Sequence, residues 1–142
     1  MIDQQTLVAA IMDVRQEIDF LWQFFITVHI AIFALLFIYD HAVENLNWVA
    51  RAFAVAGVAV FEWINGNAIA GCYRLLDAMN DQFRHIIDET KFQPEFLREF
   101  VQVSFADRPD LIKITHGMAF AVVILAFISK SFIQSRKKVG AA

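Results

Sequence analysis

Residues 20–39 read FLWQFFITVHIAIFALLFIY, a run without Asp, Glu, Lys or Arg. A run of this length and composition is long enough to cross a bilayer as an α-helix. Upstream of it, Leu7, Ile11, Val14 and Ile18 recur at alternating spacings of four and three, with polar residues between them. This heptad pattern is typical of a coiled coil and continues as far as Leu35. The stretch therefore predicts one helix that begins in water and ends in lipid.

The composition supports a membrane protein. Of the 142 residues, 58% are hydrophobic, and the mean hydropathy of +0.51 is too high for an ordinary soluble domain. A net charge of −3 argues against nucleic acid as a partner. The single cysteine, Cys72, excludes an internal disulfide and a cysteine-based metal site. The amphipathic, mildly acidic N-terminus predicts that no signal peptide is cleaved.

Two further apolar stretches, residues 48–69 and 111–133, predict a second and a third transmembrane helix. The acidic connection 40–45 joins the first two spans into a helical hairpin. Together the spans predict an all-α fold, a single membrane-embedded domain over residues 1–142. Its expected arrangement is an up-down-up three-helix bundle.

A water-exposed helical stalk is predicted from residues 1–19 and 70–108. Past residue 69 the second helix keeps the four-three spacing and has charged residues on its other face, so we expect it to pack antiparallel against residues 1–19. The positions on this seam are Cys72, Leu76, Met79, Phe83 and Ile86. Residues 94–107 predict a short helix that either returns along the stalk or lies in the headgroup layer.

Glu62 is the strongest candidate for a functional residue, because a charge in hydrocarbon is costly unless it is paired or functional. At about 1.5 Å per residue, Glu62 and His116 lie at nearly the same depth in the second and third spans. Four other polar residues fall in or near this layer: Thr27, His29, Asn65 and Thr115. The sequence thus predicts an intramembrane polar layer to which all three helices contribute.

Several roles for this layer remain open. The first is structural, with Glu62 hydrogen-bonded to His116 or Asn65. The second is contact with an Arg or His of another subunit. The third is a proton or ion path in which the carboxylate exchanges protons with an imidazole. The fourth is a haem held between His29 and His116, although their spacing is not diagnostic of haem ligation.

Small residues on the second span predict a surface for close helix packing. They include Ala52, Ala56, Gly57, Gly66 and Gly71. Catalysis lacks support, because the chain has no glycine-rich phosphate loop, no G-x-S-x-G and no H-E-x-x-H. We therefore expect a chain that is not an enzyme and that associates with other helices.

The expected function is that of a non-catalytic integral membrane subunit or oligomerising scaffold, with the lipid bilayer and other membrane subunits or copies of itself as partners. The alternative is a homo-oligomeric ion or proton channel element centred on Glu62. A haem-binding membrane electron carrier using His29 and His116 is a further alternative. The basic residues 136–138 and Lys130 favour a cytoplasmic C-terminus in a bacterial-type inner membrane.

Overall fold

The computed structural model describes residues 4–38, 46–87, 95 and 103–139, and for residues 129–139 the backbone alone. The described residues form three helices: α1 from Gln4–Phe37, α2 from Trp48–Ile86 and α3 from Arg108–Val139. No strand occurs among these residues. The predicted connection at residues 40–45 and almost all of the predicted helix at 94–107 lie outside the described residues.

All three helices are long and apolar enough to cross a membrane, judged by length and composition. They contain 34, 39 and 32 residues, so at about 1.5 Å per residue each is at least roughly 48 Å long. The hydrocarbon core of a bilayer is about 30 Å thick. Each helix is therefore longer than a bilayer crossing requires, and α3 runs past the predicted end of its span at residue 133.

Residues near the start of α2 and of α3 account for where these two helices begin. The Asn47 side chain accepts a hydrogen bond from the Ala50 N–H at 2.8 Å and so caps the start of α2. At the start of α3, the Leu111 N–H donates to the Asp107 carbonyl at 3.3 Å, and Pro109 lies in the first turn, where a missing N–H costs nothing. The third helix therefore begins at Arg108, directly before this proline.

The chain divides into two compact units. The first unit comprises Met1–Gln23 and Gly66–Lys113, and the second comprises Phe24–Asn65 and Ile114–Ala142. The sequence-predicted borders between stalk and membrane, near residues 20, 69 and 111, lie within a few residues of these divisions. The prediction of a single domain over the whole chain stays a prediction.

The core of the first unit is the predicted contact between α1 and the second half of α2. Leu7, Ile11 and Ile18 form one buried cluster with Leu76 and Phe83. The Gln4 side chain donates to the carbonyl of Ile86, which places the beginning of α1 beside the end of α2. The two segments are therefore antiparallel, as expected for the two arms of a helical hairpin.

The buried side of α1 in the second unit differs from the predicted seam. The seam predicted Phe25, Val28, Ile32 and Leu35. Of these, Phe25 is buried, Val28 and Ile32 are half-buried and Leu35 is exposed, whereas His29 and Leu36 are buried without lying on the seam. Leu35 is 54% exposed and Leu36 is 1% exposed. An α-helix with 3.6 residues per turn drifts by about 20° per heptad from a seven-residue repeat. Over several heptads this drift approaches the rotation of about 100° between successive residues of an α-helix. The buried position therefore moves by one residue, from Leu35 to Leu36.

Candidate functional site

Glu62 and His29 form a buried contact in the second unit. His29 lies on α1 and Glu62 on α2, and the His29 Nε2 and Glu62 Oε1 atoms are 2.7 Å apart. Both residues are buried, at 8% and 6% exposure. The contact is close but is not an aligned hydrogen bond, and Glu62 Oε2 has no hydrogen-bond partner in the described chain. The polar pair is thus enclosed within a single chain.

The His29 ring is fixed on its other side by the helix backbone. Its Nδ1 lies 2.9 Å from the carbonyl oxygen of Phe25, one turn earlier in α1. Because a carbonyl oxygen only accepts, Nδ1 is the donor in this bond. The rings of Phe25, Phe33 and Phe61 have their centroids 4.2, 6.4 and 6.3 Å from the imidazole centroid. The imidazole therefore lies among aromatic side chains.

A second polar pair joins α2 to α3. The His116 Nε2 and Asn65 Oδ1 atoms are 3.0 Å apart in a buried hydrogen bond. Asn65 follows Glu62 by three residues, so the two pairs occupy adjacent turns of α2. The Phe25 ring, whose centroid is 4.4 Å from that of His116, contacts both imidazoles.

The structure buries four of the six residues assigned to the predicted polar layer. Glu62, His29, Asn65 and His116 are all buried in the second unit. Thr27 and Thr115 lie on exposed positions and do not belong to the buried group. The expected partner of Glu62 was His116 or Asn65, and the structure instead pairs Glu62 with His29. The reason is the three-residue spacing of Glu62 and Asn65, which directs the two side chains to different neighbouring helices.

The predicted packing residues fall into two groups. Gly66 is buried and Gly71 is half-buried, whereas Ala52, Ala56 and Gly57 are exposed. Among the described residues, a Cβ atom placed on Gly57 would meet no atom within 4 Å. The role of these three exposed residues in helix packing stays a prediction.

The arrangement does not fit a haem held by His29 and His116. One nitrogen of His29 contacts Glu62 and the other is bonded to Phe25, so ligation would break one of these contacts. The Phe25 ring also contacts both imidazoles, where a porphyrin would have to lie. Among the described residues, no group of three His, Cys, Asp or Glu side chains is placed to hold a metal ion.

Three features of the structure were not identified from the sequence. Phe25 links the two polar pairs, and its position four residues before His29 was the available signal. Asn80 is fully buried in the first unit, and both of its amide atoms are without a hydrogen-bond partner in the described chain. A cleft of about 390 Å³ in the first unit has Arg15 and Asp19 in its lining. Their opposite charges do not indicate a class of ligand.

Comparisons with protein-family models, with characterised proteins and with solved structures find no match to this chain.

Proposed function

We propose that the chain is a non-catalytic integral membrane subunit or oligomerising scaffold that packs against other helices through the exposed small residues of α2. In this proposal α1, α2 and α3 cross the bilayer as an up-down-up bundle, and the first unit is the water-exposed stalk. The membrane is a bacterial-type inner membrane with the C-terminus on the cytoplasmic side. The helix lengths support a projection beyond the bilayer, because each exceeds the thickness of the hydrocarbon core.

The observation that carries the proposal is the exposure of Ala52, Ala56 and Gly57 on the first half of α2. Ala52 and Ala56 are four residues apart, the spacing at which small side chains let two helix backbones approach in lipid. A Cβ on Gly57 would meet no atom within 4 Å in the part of the chain that the structure describes. Large apolar side chains such as Phe53 and Val60 are exposed beside them and would flank a partner helix.

The internal pairing of Glu62 also favours an assembly role over a charged interface. Both carboxylate oxygens are buried inside the chain, with Oε1 at 2.7 Å from His29. A basic residue of a partner would therefore have to displace His29 to reach them. We place the subunit interface on the small-residue face and not at Glu62.

The experiment compares Ala56→Leu with Ala121→Leu, which makes the same change at an exposed position on α3. The native protein should run as an oligomer or co-purify with partner subunits after gentle detergent extraction. Ala56→Leu should weaken this association at least tenfold, and Ala121→Leu should leave it unchanged. A native protein that runs as a monomer with no co-purifying partner would contradict the proposal, as would equal effects of the two variants.

The second proposal is a homo-oligomeric ion or proton channel element centred on Glu62, favoured by the burial of this carboxylate beside an imidazole. It predicts that Glu62→Gln abolishes flux in liposomes and leaves assembly intact. It ranks below the scaffold because both oxygens of Glu62 are enclosed within the chain, away from a pathway between copies.

A further inference from the structure

We propose that His29 and Glu62 form a proton-storage site that holds one exchangeable proton between His29 Nε2 and Glu62 Oε1. This inference goes beyond the assembly role proposed above and does not depend on it. It is argued from the protonation of the two His29 nitrogens and from the polar contacts of the His29 and Glu62 side chains.

The tautomer of His29 follows from its backbone contact. Nδ1 lies 2.9 Å from the Phe25 carbonyl oxygen, so Nδ1 carries a hydrogen. A neutral imidazole has one N–H, and its Nε2 then presents a lone pair. Because Nδ1 donates to the Phe25 carbonyl, Nε2 of the neutral imidazole is an acceptor towards Glu62.

A proton must lie in the contact between the two residues. The Nε2 and Oε1 atoms are 2.7 Å apart, and a nitrogen and an oxygen that both lacked hydrogen would repel each other at this distance. The proton belongs either to the carboxyl group of neutral Glu62 or to the imidazolium form of His29. Moving it from Oε1 to Nε2 breaks an O–H bond and forms an N–H bond, and the net charge of the pair stays zero.

Zero net charge explains how the pair is tolerated in an apolar environment. An isolated charge in hydrocarbon is costly, whereas a pair that shares one proton presents no net charge in either form. The other charged or titratable side chains described in the second unit are His116 and Arg51. His116 bonds to Asn65, and Arg51 donates to the carbonyl of Leu46. Neither replaces His29 as the partner of Glu62.

The ligand of this site is a proton and not a metal cation. Hard cations such as Ca²⁺ and Mg²⁺ take about six oxygen ligands or more, whereas the site provides one carboxylate. The His29 imidazole is surrounded by the rings of Phe25, Phe33 and Phe61, which offer no oxygen. A proton needs the two lone pairs that the contact already supplies.

The site stores a proton and does not conduct one. A relay needs one atom that receives the proton and a different atom that passes it on. Here His29 Nδ1 is committed to a backbone carbonyl, and Nε2 faces Oε1. Glu62 Oε2 is buried and has no hydrogen-bond partner in the described chain, so it has no group to which it could pass the proton.

The test uses NMR of ¹⁵N-histidine-labelled protein in lipid nanodiscs. In the native protein we expect His29 to carry hydrogen on Nδ1 and to show a strongly downfield proton resonance from the shared proton. Glu62→Gln and His29→Gln should each lose this resonance. His116→Gln should retain it, because His116 bonds to Asn65 and not to Glu62. Glutamine at position 62 keeps the shape and a polar group, so the fold should be maintained.

A second measurement records proton flux into liposomes that contain the native protein. We expect no flux above that of Glu62→Gln, because both nitrogens of His29 are already committed, one to the Phe25 carbonyl and one to Glu62. The proposal is overturned by an Nε2–H tautomer without the Nδ1 proton, by a downfield resonance that survives Glu62→Gln, or by native flux that Glu62→Gln abolishes. Failure of the oligomerisation test leaves these readouts unaffected, so the two proposals are distinguishable.

Discussion

The Asp77 carboxylate accepts a hydrogen bond from the backbone N–H of Phe105 at 2.8 Å and thereby ties α2 to the segment before α3. Ser104 Oγ lies 3.4 Å from the same carboxylate oxygen. The Phe105 ring in turn packs against Tyr73, with 5.8 Å between ring centroids. One acidic side chain thus positions the chain where it enters the third helix.

Asp77→Ala should destabilise the first unit by about 1–3 kcal/mol, the cost of leaving a backbone donor without its charged acceptor. Unfolding by a denaturing detergent or by heat measures this loss. Asp81→Ala is the matched control, because Asp81 is exposed and its contact with Arg84 is 3.6 Å long. Equal losses for the two variants would contradict the assigned role of Asp77.

Phe83→Ala should cost about 3–5 kcal/mol, because this side chain is fully buried in the cluster that joins α1 to α2. Leu75→Ala makes a comparable truncation on the same helix at a position that is 49% exposed. We expect it to change the free energy of unfolding by roughly 0.5 kcal/mol or less. The same unfolding measurement compares the two, and a small effect of Phe83→Ala would show that the cluster is not the core.

Asn80→Leu should stabilise the first unit by about 1 kcal/mol, because a buried amide that has no partner among the described residues retains its desolvation cost. Leucine has a similar volume and no polar atoms. The control is Gln82→Leu, which introduces the same residue at an exposed position. A loss of stability in Asn80→Leu would contradict the assignment of an unsatisfied amide at this position.

Cys72 should react slowly with maleimide at neutral pH. Burial, together with the nearby Glu17 carboxylate, raises the pKa of the Cys72 thiol. A raised pKa lowers the fraction of reactive thiolate at pH 7 and moves the rise in reaction rate to higher pH. Glu17→Gln should therefore speed the reaction at a given pH.

The control for this labelling places a cysteine at an exposed position of the same helix, in the double variant Cys72→Ala with Ala78→Cys. Because Cys72 is the single cysteine of the chain, the control has one thiol as well. Equal labelling rates at positions 72 and 78 would refute the prediction.

The helices and the packing of α1 against α2 in the first unit could be predicted because they follow from apolar residues that recur at short, regular spacings. Leu76 and Phe83 lie on the predicted seam of α2 and meet Leu7 and Ile11 in the core. No Pro interrupts Trp48–Ile86, so one continuous helix was the simple expectation and is confirmed.

The pairing of polar residues could not be predicted to the same extent. Depth along a helix placed Glu62 and His116 in one layer, but depth does not state which way each side chain points around its axis. Inside an apolar stretch nearly every position is hydrophobic, so the pattern carries little information on rotation. His29 was therefore assigned to the layer but was not the expected partner of Glu62. The burial of Leu36 in place of Leu35 was missed for the same reason, because the sequence pattern does not fix the rotation of α1 about its axis.

The bond from His29 to Phe25 uses a backbone carbonyl, and this has a consequence for mutagenesis. Any residue at position 25 supplies that oxygen as long as α1 remains helical, so scanning Phe25 with other side chains leaves the acceptor in place. Such a scan would report the loss of the aromatic contacts with His29 and His116 and nothing about the tautomer. The hydrogen on Nδ1 of His29 is thus protected against side-chain substitution at position 25, the position that supplies its acceptor.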